Sequence, residues 1–293
     1  MREFFKRLTT LGSIVLMIFL LFSGVACRRH KEAVDWQNEL EYEPSEIFPI
    51  KVGKYGYPYV QVIINGQELE MAFDTGNMSG LLVAPETAGQ LGLSSVGEST
   101  HYDSSGDVIG TSRVFRVPEL VVFGKVWTKE QAHEHAGSGL VGLIGPRYVY
   151  GKRFTLDYQN KIIAVSASPF PRIEQENIVF PLFQSKDHTG MIVIRGELNE
   201  YPVLIQIDTG KSRTCVDPAL VDKMNLPEAA RGYRIDKIQL GPHSFMVTSA
   251  KKVSFRGISG GLPEPILLGI GSDILSQVVL SVDYSKQIVI ISR

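Results

Sequence analysis

Beyond about residue 48 the chain is dominated by short apolar and β-branched runs separated by turn residues, and these runs come in two matching sets. The first set opens with runs over 59–65 and 68–73 about an Asn65-Gly66 turn; the second opens with 191–195 and 201–207 about residues 196–200. Such runs, punctuated by Gly and Asn, predict β-hairpins. Each hairpin delivers the same tripeptide, Asp74-Thr75-Gly76 and Asp208-Thr209-Gly210. A short apolar strand and a Pro-led helix follow each, over 85–91 and 218–224, with Asp217 placed to cap the second helix ahead of Pro218.

Each set also closes alike. Leu143-Ile144-Gly145 leads to Leu156-Asp157-Tyr158, and Gly269-Ile270-Gly271 leads to Val282-Asp283-Tyr284. Twelve residues separate Gly145 from Asp157, and twelve separate Gly271 from Asp283, before a last strand over 161–165 or 287–291. A repeat of this length means two copies of one structural unit. Two carboxylates presented in equivalent positions could share one proton and activate a water.

The N-terminus follows a different pattern. Arg2, Lys6 and Arg7 precede an uncharged stretch over 8–27 whose apolar core, 14–22, is short for a membrane span and suits an export signal. The stretch ends in Gly24-Val25-Ala26-Cys27, which fits ordinary signal cleavage or a bacterial lipobox in which Cys27 is lipidated, with an uncleaved helical anchor as the remaining alternative. The lipobox is the favoured reading, although Gly24 departs from the usual Leu. The expected segments are a signal peptide at 1–26, a polar acidic tether at 27–47 that also reads as a short propeptide, and two lobes at 48–169 and 170–293. An exported, lipid-anchored protein of the bacterial cell envelope follows.

The 293 residues carry 30 Lys and Arg against 31 Asp and Glu, a net charge of −1 with no basic stripe. That balance gives no support to a nucleic-acid partner or to adaptation to strong acid. The only other cysteine is Cys215, expected as a buried thiol; a Cys27–Cys215 disulfide is formally open if Cys27 carries no lipid. His133-Glu134-His135 lacks a further ligand pair at metal spacing and reads as a solvated loop. No metal and no organic cofactor is expected.

An apolar strand into Asp-Thr-Gly, an apolar-Gly loop and an apolar-Asp-Tyr strand together resemble the retropepsin-like and pepsin-like aspartic proteases over nearly all of 48–293. The resemblance implies an all-β, bilobal, pseudo-twofold acid-protease barrel fold with short helices. It implies an aspartic endopeptidase in which Asp74 and Asp208 form one dyad, Thr75 and Thr209 cross-link the loops, and Gly76 and Gly210 admit close backbone approach. With both half-sites in one chain, a monomer with internal pseudo-symmetry is expected, acting on a peptide or unfolded protein bound as an added strand.

The halves are unequal. From Asp74 to the next matching turn glycine, Gly124, is 50 residues, but from Asp208 to Gly241 only 33. The extra residues centre on 102–108, a polar, Gly-containing tip that reads as a hairpin. By resemblance it is a flap over substrate, with Tyr102, Ser105, Gly106 and Asp107 as flap residues. The family usually has Ala or Ser after each tripeptide, whereas this chain has Asn77 and Lys211. An ammonium near the dyad favours ionised aspartates. If Lys211 points outward, the site is expected to cut. If its ammonium lies within salt-bridge reach of either aspartate, the rival reading gains: a catalytically silent peptide-binding or scaffold lipoprotein. An obligate homodimer of another architecture is a weaker third.

Overall fold

The computed structural model describes residues 36–135, 139–172 and 178–293. The expected signal peptide, Cys27 and the start of the expected tether lie outside the described residues. Residues Trp36–Glu39 form one helical turn. From Leu40 onward the structure is mostly β, with several sheets.

Six strands close a mixed barrel in the first half. Their order is Pro58–Ile64, Gln67–Phe73, Gly142–Ile144, Leu81–Val83, Lys125–Glu134 and Val108–Val122, which pairs back onto Pro58–Ile64. The second half repeats that order with Ile192–Leu198, Tyr201–Ile207, Ile266–Ile270, Cys215–Val216, His243–Lys252 and Gly232–Leu240, again pairing back onto its first strand. In each barrel the two strands that leave the hairpin and return are joined in parallel: Phe73 lies opposite Ile144, and Ile207 opposite Ile270. Alternation fills the interiors, with Val60, Val62 and Ile64 buried along one strand and Gln61 outside.

A third sheet joins the halves. Its six strands run Ile47–Pro49, Ile162–Ser166, Arg153–Asp157, Val279–Asp283, Ile288–Ser292 and Val179–Pro181, so three come from each half and the sheet reads alike from either edge. At its centre Thr155 lies opposite Ser281, and their hydroxyls are 2.7 Å apart. The closing Asp-Tyr motifs gain a physical reason here. Asp157 accepts the backbone N–H groups of Gln159 and Asn160, and Asp283 accepts those of Ser285 and Lys286, so each aspartate ties the turn leading to the last strand.

Three expectations need correction. The second hairpin is tighter than a 196–200 loop: its strand continues to Leu198 and turns through Asn199 and Glu200, both at positive φ. Gly196 lies within that strand because a Cβ there would press on the Gln239 carbonyl and Ile205. His133 and Glu134 belong to the strand Lys125–Glu134 rather than to a loop. Residues 40–47 are folded rather than a tether. Leu40 and Tyr42 are buried, the Arg153 guanidinium donates to the Leu40 and Glu41 carbonyls at 2.5 and 2.7 Å and stacks on Tyr42, and Ile47 pairs with Ala164.

Candidate active site

The two tripeptides meet where the barrels face each other. The Asp74 N–H donates to the Ile144 carbonyl and the Asp208 N–H to that of Ile270, so the apolar-Gly strands hold the start of each loop. The threonines then lock the loops together. The Thr75 N–H donates to Thr209 Oγ1 and the Thr209 N–H to Thr75 Oγ1, both at 3.0 Å. Each hydroxyl in turn donates across the interface, Thr75 to the Ile207 carbonyl at 2.9 Å and Thr209 to the Phe73 carbonyl at 2.6 Å. Both threonines have no exposed surface. Four buried hydrogen bonds in reciprocal pairs therefore fix the spacing of the adjacent aspartates.

Gly76 and Gly210 are required by that closeness. A Cβ on Gly76 would collide with the Asp208 carboxyl, and one on Gly210 with the Asp74 carboxyl. Their N–H groups donate to Oδ1 of their own aspartates, at 2.8 Å for Asp74 and 2.9 Å for Asp208. Burial, the negative charge of Asp208 and a hydrogen bond between the two carboxyls push Asp74 up from 3.8 to about 8, against the pull of the Gly76 N–H and the Lys211 ammonium. Burial beside a second carboxyl thus favours the protonated form of Asp74.

Beyond the tripeptides the halves diverge. The Asn77 side chain turns back on its own loop, donating to the Gly80 carbonyl at 3.1 Å and accepting from the Ser79 N–H. Lys211 turns inward: its Nζ lies 2.5 Å from Asp208 Oδ2 and 3.0 Å from Gln206 Oε1. Burial pulls this ammonium toward neutrality, but the Asp208 charge and hydrogen bond outweigh it, and the lysine binds its proton more tightly than a free side chain does. Of the two orientations open to Lys211 in the sequence, the structure takes the one within salt-bridge reach of Asp208.

Above the carboxyls lies a cavity of about 860 Å³ reached by both aspartates, with Met78, Leu82, Leu143 and Ile258 among its apolar lining. Its roof is the hairpin of Ser94–Tyr102 and Val108–Val122. Tyr102 and Gly106 line the cavity, though Tyr102 is also 63% exposed. Ser105 and Asp107 do not line it. They close the tip on Asp103 and on each other, and the Ser105 carbonyl and Asp107 carboxylate receive the Arg256 guanidinium of the second barrel. The Gly257 N–H donates to the Ser104 carbonyl at 2.9 Å and the Ser104 hydroxyl to the Ser254 carbonyl at 2.8 Å. The roof is therefore latched to the opposite barrel.

Cys215 is a buried free thiol. His133 packs its ring against His101 on the hairpin, and among the described residues no group of His, Cys, Asp or Glu is placed to hold a metal ion. Sequence reasoning missed Gln206, the latch residues Ser254, Arg256 and Gly257, and Tyr57, whose hydroxyl burial and the charges of Asp74 and Asp208 keep protonated. Only Gln206 carried a local signal, because in a strand it faces the same side as Asp208 two residues on. Comparison of the chain with protein-family models and with curated proteins finds no match to either.

Proposed function

We propose that this chain is an aspartic endopeptidase with the bilobal, pseudo-twofold architecture of retropepsin-like and pepsin-like proteases. One observation carries the reading: the reciprocal threonine bonds hold Asp74 and Asp208 in mutual hydrogen-bond contact at the floor of a roofed cavity. A neutral and an ionised carboxyl side by side supply an acid and a base at once. The ionised group takes a proton from water as its oxygen bonds to the scissile carbonyl carbon. The neutral group gives its proton to the carbonyl oxygen, forming a tetrahedral diol. As the C–N bond breaks, the protonated base gives its proton to the leaving nitrogen and one diol hydroxyl gives its proton to the other carboxyl, which forms the product acid and restores the pair. The substrate is an extended peptide or unfolded protein segment entering beneath the hairpin, and the single chain suffices. The N-terminal segment and Cys27 make it an exported envelope protein held to a membrane by lipid.

A second reading is favoured by the Lys211–Asp208 ion pair: a silent peptide-binding or scaffold lipoprotein of the same architecture. Incubating the purified protein with a diverse peptide pool from pH 5 to 9 separates the two. Cleavage abolished by Asp74→Asn and by Asp208→Asn supports the endopeptidase. Cleavage surviving either change refutes the shared dyad, and tight peptide retention without cleavage establishes the binding module.

A further inference from the structure

The two carboxyls receive equal help from the backbone and unequal help from side chains. Each Oδ1 accepts one glycine N–H, at 2.8 Å for Asp74 and 2.9 Å for Asp208, so these contacts cancel when the two are compared. Two residues before Asp74 stands Ala72, and three residues after it Asn77 spends its amide on its own loop. The matching places around Asp208 hold Gln206 and Lys211, whose ammonium reaches Asp208 Oδ2. Gln206 is buried and anchors the ammonium from the other side, while the Phe255 ring lies 5.6 Å from it. The other titratable groups coupled to the pair are Tyr57, Tyr158 and Cys215, all of which burial keeps neutral.

A proton shared by two adjacent carboxyls resides on the one whose anion is less stabilised. With the backbone contributions matched, the difference is a single positive charge in contact with one partner. We propose that Lys211 is a positioning residue that fixes the shared proton on Asp74, making Asp74 the acid that protonates the scissile carbonyl and Asp208 the base that takes a proton from water. The roles rest on the endopeptidase reading; the placement of the proton does not. When Asp208 becomes protonated in the reaction, its ion pair with Lys211 is lost. Gln206 Oε1, still in hydrogen-bond reach, then remains as acceptor for the ammonium, so the buried charge is never without a partner. The lysine thereby weakens the base but removes the choice between two protonation patterns, only one of which suits an asymmetric cleft.

Carboxyl carbon NMR of the whole protein labelled at aspartate, with Asp74→Asn and Asp208→Asn used for assignment, tests the placement without requiring turnover. At pH 6 the expected spectrum shows Asp74 as a neutral acid and Asp208 as a carboxylate. In Lys211→Met the two resonances should move together, each following both titration steps of the pair, and the upper step should rise by about one pH unit or more as a neighbouring positive charge is removed. Lys211→Arg, which keeps the charge, should preserve the wild-type pattern, and Lys211→Gln serves where Lys211→Met does not fold. An ionised Asp74 at pH 6 in wild type, or a Lys211→Met or Lys211→Gln spectrum that titrates as wild type does, overturns the proposal. If peptides are cleaved, the lysine variants should also alter the pH profile of kcat more than KM. If none is cleaved while the spectra follow expectation, the endopeptidase reading fails and the proton placement stands.

Discussion

Replacing Asp74 by Asn should flatten the dependence of folding stability on pH. Asp74 binds its proton far more tightly in the folded protein, at about 8, than at its ordinary value of 3.8. A group raised in this way contributes stability that is fully present below the unfolded value and is lost as pH rises through the folded one. Between those limits the folded chain keeps a proton that the unfolded chain has released, and stability declines by about 1.4 kcal/mol per pH unit. From pH 5 to pH 8 the full slope amounts to about 4 kcal/mol, and half-titration near the upper limit trims this by only about 0.4 kcal/mol. Asn is isosteric with the neutral acid, can still donate to Asp208, and has no proton to lose. Urea unfolding at pH 5, 6, 7 and 8 should therefore show wild type losing about 4 kcal/mol more than Asp74→Asn across the range. Comparing the two proteins cancels the histidines, including His133 and His135, which burial and His101 hold below their ordinary values in both. Parallel stability curves would refute the assignment of a neutral carboxyl at Asp74.

The threonine bonds and the closing tyrosines offer further tests. Thr75→Val should cost about 2 kcal/mol of unfolding free energy, because it removes one donor and orphans the buried Thr209 N–H. Thr75→Val/Thr209→Val should cost less than the sum of the single changes, since each hydroxyl serves the other's loop; a double-mutant cycle with no coupling counts against the reciprocal arrangement. The Tyr158 hydroxyl is buried with no hydrogen-bond partner among the described residues, whereas that of Tyr284 donates to the Gly190 carbonyl at 2.7 Å. Tyr284→Phe should lose about 1 kcal/mol and Tyr158→Phe should be neutral or stabilising, with thermal melts as the readout and the reverse ranking as the refuting result.

How far the sequence reached depended on whether the determining interactions were local. The helix Pro218–Met224 was legible because its cap is its neighbour: the Asp217 carboxylate accepts the Ala219 N–H at 2.9 Å. The two barrels were foreshadowed by paired hairpins and closing motifs, since strand alternation and turn chemistry act over a few residues. Residues 40–47 were misread because their acidic composition conceals Leu40 and Tyr42, and the group that fastens them, Arg153, lies more than a hundred residues away. The latch is equally remote, joining Ser104 to Ser254 and Asp107 to Arg256. The direction of Lys211 stayed open in the sequence for another reason. A four-carbon side chain has many rotamers, and what selects the inward one is Gln206 together with the Asp208 charge, neither of which the residue's own identity reveals.

The sheet that binds the halves, three strands from each meeting at Thr155 and Ser281, also lets the two sides of the site differ. In an assembly of two identical chains, whatever stands beside one carboxyl stands beside both. A lysine after the tripeptide would then arrive twice, and two ammonium ions would strip the pair of its common proton. Joined in one polypeptide, the copies can drift apart residue by residue. Ala72 and Asn77 on one side and Gln206 and Lys211 on the other use that freedom: a device with a built-in left and right, which two identical chains could not carry.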